Sequence, residues 1–595
     1  MRFPEWAVAV LAALTVAGNA MGIVRFGESA AYMARTWTRG FRSTGEHVDA
    51  ARRMAENAVS QGWSIAYCQP YEDRITSVDR SRILAMSWAT APCPVPYGDA
   101  VKLRGYDAVV ASAYGFDFNS AAGLDELYRV VDFGGGLALW AKEPVELFPA
   151  GRMPPLDVVF HGLLATAALL TIVLVLILIR GMKCAIMGIC AISIMEFLQV
   201  VCLHNIDRMW AGLVVMIVLA GAYCLNGVGG LRSRVLIGGL RNGLQNRHWA
   251  WIGAVVFIFS MYAVLALSHT FVAPTGLGTV GGKAKLMLLS KGFPRGFFTD
   301  PLFMLYQPPY PPGGALFLLL GYVLSGGCDE WLVQLVNCFL AALLLGFLLL
   351  RVSKFSARWL VVSFFVSPLT LRLVTLFYPE VLVGLCMLVG WDCVRRRPLD
   401  STGWIVMGMS GWFKNEGLVY FCSMALPMLY YCPSGSRYAL AKRILCAMAL
   451  PIAWHVGCRL HGAVLDGYVP ISEASVVKGF AALRKIFECA FCKPWLYSLA
   501  FPLTLVTILT RQSHWQLSRV AGMGAGISIC LFCFIFSLSG AEDFAWHLDS
   551  VERLLWVPAL LLLHAVTVRY TGFSACSPDD GIWYNILDKQ RKGDS

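Results

Sequence analysis

Three polar side chains that could do chemistry stand side by side within an otherwise apolar stretch. Lys414, Asn415 and Glu416 interrupt residues 404–431, in the sequence GWFKNEGLVYF. The lysine and the glutamate could simply neutralise each other. Ionisable groups at membrane depth are nevertheless rare and by default mark a functional site. The stretch therefore predicts either a local ion pair or one part of such a site.

A second group of candidate residues is basic. Lys283, Lys285, Lys291 and Arg295 lie together in the polar loop 268–312. An anionic ligand such as a phosphate would explain this cluster, because cations bind phosphate through charge-assisted hydrogen bonds. The alternative is that the long side chains reach lipid headgroups. The loop therefore predicts an anion site or an interfacial anchor.

A lone acid stands where an apolar run begins. Glu380 follows Pro379 in the sequence FYPEVLVG. Proline suits the first turn of a helix, and a carboxylate there interacts favourably with the helix dipole. Glu380 is thus predicted either as a simple helix cap or as the acid of a site.

The composition tells what kind of protein must position these groups. The chain has 595 residues, of which 57% are hydrophobic and only 14% are charged. The mean hydropathy is +0.62. Apolar runs of nearly the length of a membrane-spanning helix recur along the chain. The net charge of +12 resides in short loops between these runs. This is the positive-inside bias of membrane proteins, so no nucleic-acid partner is expected.

The runs and the loop charges together predict the topology of an all-α polytopic membrane protein with about 14 transmembrane helices. Seven basic loops fall on one side if the N-terminus is inside and Gly313–Ser325 does not fully cross. That segment has 13 residues, fewer than a spanning helix needs, so a re-entrant or interfacial helix is expected. Residues 414–416 then form a turn between two short helices at the outer face. The last ten spans are expected near residues 249–267, 331–350, 359–376, 381–393, 404–413, 418–431, 444–458, 495–509, 520–538 and 554–568.

The domain organisation follows from where polar segments occur. Residues 1–23 read as an uncleaved membrane anchor, with a signal peptide as the alternative. Residues 24–154 form the one long polar segment and predict a small extracytoplasmic α/β domain. There, 82–90 and 106–116 read as strands, 45–59 and 120–133 as helices, and 134–144 as a turn and a strand. Whether Cys68 and Cys93 of this segment pair stays open.

The rest of the chain divides into three further units. Residues 155–230 predict three transmembrane helices, residues 249–570 a transmembrane core, and residues 571–595 a cytoplasmic tail. The location expected from this arrangement is the cytoplasmic (inner) membrane.

Four motifs in order resemble those of bacterial membrane glycosyltransferases of the GT-C superfamily, which are similar to dolichyl-phosphate-mannose mannosyltransferases. They are KAKLMLLSKGFPRGFFTDP with QPPYPPGG, then YPEVLVGL, then KNEGL, then WHLDSVERLLWVPALLLL. The resemblance covers about residues 249–568. It implies a GT-C-like core, a polyprenyl-phosphate-linked sugar as donor, and an inverting transfer to an envelope glycan or protein outside the membrane.

The resemblance also implies roles for individual residues. A base must reach the acceptor hydroxyl, and Glu380 occupies the position of the acid in the Tyr-Pro motif. Asp300 is the second candidate. Residues 268–283, where the family carries a further acid, contain neither Asp nor Glu. Lys283, Lys285, Lys414 and Arg553 are expected to hold the donor phosphate; Glu416 to orient Lys414; Tyr310 to shape the lipid groove; and Asn415 and His547 to contact substrate.

Two other classes of function stay open. A transporter or flippase for a lipid-linked glycan would share the many helices and the basic outer groove. A catalytically inactive scaffold for envelope assembly would explain the missing acid. Membrane lipids are expected as partners in each case. The sequence requires no cofactor; a divalent metal is compatible with it but not demanded by it.

Overall fold

A computed structural model provides the structure of the protein. It describes residues 51, 54–55, 58, 64–68, 86, 97–98, 108–112, 128–130, 137–141, 249–268, 279–300, 303, 306–325, 330–352, 354–463, 473–509, 515–539 and 550–570. The predicted anchor at 1–23, the three helices at 155–230 and the tail at 571–595 lie outside these residues. So does Cys93, the proposed partner of Cys68.

The described part of the chain is mostly helical. Its helices are α1 (Trp249–Ser268), α2 (Gly281–Leu289), α3 (Gly313–Ser325), α4 (Glu330–Arg351), α5 (Phe355–Phe365), α6 (Pro368–Thr375), α7 (Glu380–Arg396), α8 (Ser401–Gly408), α9 (Ser410–Phe413), α10 (Asn415–Tyr431), α11 (Ser434–Leu460), α12 (Val476–Phe487), α13 (Ala500–Leu509), α14 (Trp515–Ser537), α15 (Val551–Leu554) and α16 (Trp556–Tyr570). A π-helical turn (Glu488–Cys492) and a 3₁₀ turn (Pro494–Tyr497) separate α12 from α13.

Two described helices are long and apolar enough to cross a bilayer, namely α11 and the Val520–Ser537 part of α14. The bent pair α5 and α6, whose axes differ by 54°, would make a third if the pair serves as one span. Shorter apolar helices occupy Gly253–Ala266, Gly313–Val323 and Val333–Leu349. These helices are consistent with a membrane protein.

Helices occupy each of the ten runs that the sequence predicts as spans after residue 249. The interruptions of the helix within single runs were not predicted. The run 359–376 is divided at Ser367, whose hydroxyl accepts a hydrogen bond from the backbone N–H of Thr370. Pro368 stands at the next position, where a residue without an N–H fits the first turn of a new helix. Both sides of the break keep several large apolar residues, so hydropathy alone does not reveal the bend.

The helices that carry the candidate residues run up and down beside one another. Gly390 of α7 lies against Met407 of α8, and Gly403 lies against Val394. Trp404 of α8 meets Phe421 of α10, with ring centroids 5.9 Å apart. Consecutive helices in this part of the bundle are therefore antiparallel. As a result, the start of α7 and the start of α10 lie at the same end of the bundle.

The last helix, α16, runs parallel to α7. The two helices also meet in a charged cluster at the end of α7 away from Glu380. The ring of Trp556 packs against Gly384, near the start of both helices. Further along, Asp392 of α7 pairs with Arg351 at 3.0 Å and with Arg395 at 2.6 Å. His564 of α16 approaches the same carboxylate at 3.5 Å. This far-end cluster joins α4, α7 and α16.

The N-terminal polar segment contains a mixed five-stranded sheet. Its strands are β1 (Ile65–Cys68), β2 (Tyr97–Gly98), β3 (Ala108–Ser112), β4 (Tyr128–Val130) and β5 (Leu137–Ala141). Their order is β2-β1-β3-β5-β4. The pairs of β1 with β2 and β3 are parallel, whereas β5 is antiparallel to β3 and β4.

The sheet confirms some predicted elements of this segment and corrects others. Strands occur at 108–112 and 137–141, and residue 51 is helical, as predicted. Tyr128–Val130 forms a strand where a helix was predicted, because its aromatic and β-branched residues pair with β5. Met86 is helical where a strand was predicted. A short apolar run such as 82–90 does not by itself distinguish a buried strand from a buried helix.

The close approach of α9 and α10 generates a prediction about Gly417. A Cβ at this position would lie 2.0 Å from the carbonyl oxygen of Ser410. We expect Gly417→Ala to destabilise the protein by about 1–3 kcal/mol or more, because the two helices must separate. Thermal unfolding of the purified, ligand-free protein in detergent measures the loss of stability.

Gly457 provides the matched control, because it lies inside α11 and a Cβ there meets nothing within 4 Å. Gly457→Ala should leave the melting temperature equal or raise it, since alanine favours a helix over glycine by roughly 0.5–1 kcal/mol. Equal melting temperatures for both variants would contradict the close approach.

Candidate functional site

Glu380 is positioned by a turn that side chains of α4 hold in place. The amides of Gln334 and Asn337 donate to the carbonyls of Thr375 and Val374, at 3.2 and 2.7 Å. These carbonyls end α6 and have no partner within the helix. Phe377 follows in the left-handed region, with φ of 50°.

The turn closes with one further hydrogen bond. The N–H of Tyr378 donates to the carbonyl of Leu373 at 3.0 Å. This bond, with a left-handed residue before its donor, is the Schellman arrangement that ends many helices. Pro379 then starts α7, with Glu380 in its first turn. Glu380 is thus fixed by backbone geometry at the end of the bundle where α10 begins.

Lys414 is the residue between α9 and α10, and it is buried. Its backbone is extended, with φ of −159° and ψ of 142°, which breaks the helix there. A break between two helices is therefore present as predicted, but it consists of Lys414 alone, because Asn415 and Glu416 already belong to the 17-residue helix α10. The side chain of Lys414, however, is not at an exposed tip. Its ammonium donates to Oε1 of Glu380 at 2.8 Å and lies 3.1 Å from Oε1 of Glu416.

Two further residues complete this assembly. Arg553 of α15 brings a guanidinium nitrogen to 3.7 Å from Oε1 of Glu380 and stacks over the ring of Tyr378. Tyr310 donates its hydroxyl to Oε2 of Glu416 at 3.1 Å. We call Tyr310, Glu380, Lys414, Glu416 and Arg553 the carboxylate cluster. Its two acids and two bases balance in charge.

Burial within the cluster is graded. The side chains of Glu380 and Lys414 are 1% and 3% exposed, whereas those of Arg553 and Glu416 are 16% and 26% exposed. The cluster thus opens on the side of Arg553 and Glu416.

Two buried oxygen atoms in this region have no hydrogen-bond partner among the described residues. They are Oε2 of Glu380 and Oδ1 of Asn415. Both can accept a hydrogen bond, and leaving a buried acceptor unpaired costs about 1–3 kcal/mol. Natural proteins rarely leave such groups without a reason. The two oxygens are therefore the natural contacts for a donor group on a ligand, such as a hydroxyl.

Lys283 occupies a different place from the one its predicted role requires. It is fully buried and donates to the backbone carbonyls of Gln307 and Tyr310, at 3.1 and 2.9 Å. Burial lowers the pKa of Lys283 to about 7. Its contacts make it an anchor for the loop that carries Tyr310. Lys285 is half-buried, and residues two apart on a helix do not share a face. The ammonium of Lys283 therefore binds backbone carbonyls, and Lys283 and Lys285 point in different directions from α2.

The remaining predicted residues are placed as follows. Asp300 is half-buried and ends the turn after Pro294, where its N–H donates to the carbonyl of Gly296 at 2.8 Å. His547 lies outside the described residues. In the described part of the chain, no group of three or more His, Cys, Asp and Glu side chains is placed to hold a metal ion.

Sequence reasoning missed three residues that hold the cluster together. Tyr378 supplies the ring under Arg553, and Tyr420 donates to the carbonyl of Leu554 at 2.8 Å, next to Arg553. Gln334 begins the chain of contacts that fixes the Glu380 turn. The polar amides within the apolar run 331–350 were the one available signal. Nothing in the sequence around Tyr378 and Tyr420 indicates that they contact the cluster.

The burial of the Lys414–Glu380 pair generates a prediction about stability. We expect Lys414→Met to destabilise the protein by about 3–5 kcal/mol, because it leaves a buried carboxylate without its main partner. The double variant Lys414→Met/Glu380→Gln should recover a large part of this loss. Chemical unfolding of these two variants and of Glu380→Gln in detergent measures the coupling.

Lys493 and Glu552 form a control pair of similar length, 3.1 Å, with side chains 35% and 31% exposed. Lys493→Met should cost only about 0–1 kcal/mol, the usual range for solvent-exposed pairs. Equal losses of stability in Lys414→Met and Lys493→Met would contradict a special contribution of the buried pair.

The lowered pKa of Lys283 generates a prediction about pH. The pKa falls from its model-peptide value of 10.5 to about 7 on folding, so between these values the unfolded chain binds more protons than the folded chain. Stability contributed by this residue therefore rises with pH across that window. We expect the melting temperature of the wild type, relative to Lys283→Met, to increase from pH 7 to pH 9. A constant difference would show that Lys283 stays charged in the fold.

Comparison with known proteins adds no relative. No protein-family model, no curated protein and no solved structure matches the chain. The function is therefore argued from the geometry of the carboxylate cluster.

Proposed function

We propose that the protein is a membrane glycosyltransferase of the GT-C type. It would move a sugar from a polyprenyl-phosphate carrier to an extracytoplasmic acceptor, with inversion at the anomeric carbon. The observation that supports this most is the buried carboxylate of Glu380. Lys414 and Arg553 contact one of its oxygens, and the other has no partner among the described residues.

The proposed step assigns the free oxygen of Glu380 to the acceptor. A hydroxyl that donates to Oε2 would lose its proton to Glu380 while its oxygen forms a bond to the anomeric carbon. A positioned base of this kind contributes about 10²–10⁴-fold to the rate. Asn415 is adjacent to Lys414, and its unpartnered Oδ1 offers a second contact for the same acceptor or for the sugar.

The leaving group is the polyprenyl phosphate. The bond between the anomeric carbon and the phosphate oxygen breaks, and negative charge accumulates on the phosphate. Arg553 is the better placed of the two cluster cations to stabilise it, because it is partly exposed and its contact with Glu380 is long, at 3.7 Å. Guanidinium has five N–H donors, most of which remain for a ligand. Lys414, between two carboxylates, would instead hold Glu380 and Glu416 in place.

The membrane arrangement belongs to the same proposal. About 14 helices would span the inner membrane with the N-terminus inside, and the β-sheet segment would form an extracytoplasmic α/β domain. The carboxylate cluster would then lie at the outer end of the bundle. This position suits a lipid carrier, because the phosphate of such a donor lies at the headgroup level while its tail stays within the bilayer.

The test is release of polyprenyl phosphate from a labelled polyprenyl-phosphate sugar by the protein in nanodiscs. Glu380→Gln should lower turnover about a hundredfold or more, since the amide cannot accept the proton. Lys414→Ala should abolish turnover, because it releases the carboxylate from its position. Lys442→Ala, an exposed lysine in α11, should keep full turnover.

Donor binding, measured separately with the same nanodiscs, distinguishes the other functions. Normal binding without turnover of several donors would favour the scaffold. Movement of an intact donor across proteoliposomes would favour the transporter. Full turnover in both cluster variants would refute the assignment of the site.

A further inference from the structure

Helix α12 carries a row of large apolar side chains that face away from the protein. Its five such residues, Val476, Val477, Phe480, Leu483 and Phe487, are between 43% and 79% exposed. Four of them recur at intervals of three and four residues, which places them on one face. An isolated exposed apolar residue is ordinary, but a continuous stripe marks a contact surface.

An adjoining face of α12 is packed against α14. Ala482 and Ile486 are buried. A Cβ at Gly479 would meet the carbonyl oxygen of Cys533 at 3.4 Å and the side chain of Ser537 at 3.6 Å. Cys533 and Ser537 lie in the Val520–Ser537 segment, which is apolar and long enough to cross a bilayer. The exposed stripe is therefore borne by a helix that rests on a candidate membrane span.

Both ends of the α12 segment are fixed to one end of the bundle. Before α12, Ser475 donates its N–H to the carbonyl of Ser537 at 2.8 Å. After it, Lys493 donates to Glu552 at 3.1 Å. Glu552 precedes Arg553, so this end is the one that carries the carboxylate cluster. The helix is thus held at the same end as Glu380.

The charges of α12 indicate what covers the stripe. The helix VVKGFAALRKIF contains three basic side chains, at Lys478, Arg484 and Lys485, and no acidic one. A second protein copy with the same surface would repel these charges. Lys478 donates to the carbonyl of Ser539, and Lys485 lies 3.7 Å from Glu488, which follows the helix. Arg484 stands next to the apolar stripe on the helix surface. An apolar stripe on a helix whose other side chains are basic instead fits the boundary between headgroups and acyl chains of an anionic lipid surface.

We propose that α12 lies on the bilayer surface at the end of the bundle that carries Glu380, with its apolar stripe among acyl chains and its basic side chains at anionic headgroups. The proposal does not depend on glycosyl transfer. It would hold equally for a transporter or a scaffold.

The test places the photo-crosslinking residue p-benzoylphenylalanine at position 480 of the full-length protein. The protein is reconstituted in nanodiscs of mixed phosphatidylcholine and phosphatidylglycerol, and crosslinked species are identified by mass spectrometry. We expect crosslinks to lipid. Phosphatidylglycerol should be enriched about fivefold over its share of the disc, because each basic residue near an anionic surface attracts it by about that factor.

The matched variant combines the same crosslinker with Arg484→Gln and Lys485→Gln. It should still crosslink lipid, but the phosphatidylglycerol share should fall toward that of the disc. Crosslinks to a second copy of the chain, or to no partner, would overturn the proposal. Lipid crosslinks without enrichment in the unmodified helix would overturn its electrostatic part. Turnover measured on the same discs separates these outcomes from any failure of the proposed transferase.

Discussion

The cost of removing charge from water governs the arrangement of the helical bundle. Glu380 and Lys414 are withdrawn from solvent, and each alone would lose several kcal/mol of solvation. The pair is tolerable only when each ion has its partner within hydrogen-bonding distance. That requirement brings the start of α7, the break before α10 and the start of the last helix to one point. The backbone features around it, including the turn at Phe377 and the close contact at Gly417, are the means by which the chain satisfies this requirement.

The buried carboxylates at the two ends of α7 are compensated in different ways. At the far end, Asp392 is shared by Arg351 and Arg395, and its oxygens are occupied by their guanidinium groups. In the carboxylate cluster, Glu380 keeps one oxygen without a partner in the described part of the chain. A saturated carboxylate joins helices, whereas an unsaturated one retains capacity for a ligand. The far-end cluster has unpaired atoms of its own, because both ring nitrogens of His564 lack a hydrogen-bond partner in the described part of the chain. What distinguishes the candidate site is therefore specifically the open carboxylate oxygen of Glu380.

Much of this arrangement could be anticipated from the sequence, and the reasons for the rest are physical. Hydropathy located the ten apolar runs after residue 249 that are helical, and the helix-start signals of Pro379 and Glu380 were correct. It did not predict α2, which lies in the predicted polar loop 268–312, or α12. Loop charges placed residues 414–416 in a turn. Pairwise contacts between distant segments have no signature in a single sequence. The two residues Glu380 and Arg553 were expected in separate roles, Glu380 as the base and Arg553 as a phosphate contact, and their meeting was not predicted. The role of Lys283 changed for a related reason, because nothing in the sequence indicates that two backbone carbonyls enclose its ammonium. The strand at 128–130 likewise depends on its pairing with β5, which is not local.

The origin of Arg553 in the final helices has a consequence for biogenesis. While the chain is synthesised, the helices that bear Glu380, Lys414 and Glu416 are complete long before α15 emerges from the ribosome. Until then the cluster holds two carboxylates and one ammonium, and so carries a net negative charge within its polar pocket. Arrival of Arg553 completes neutrality. Docking of the last helices therefore supplies the charge that neutralises the cluster.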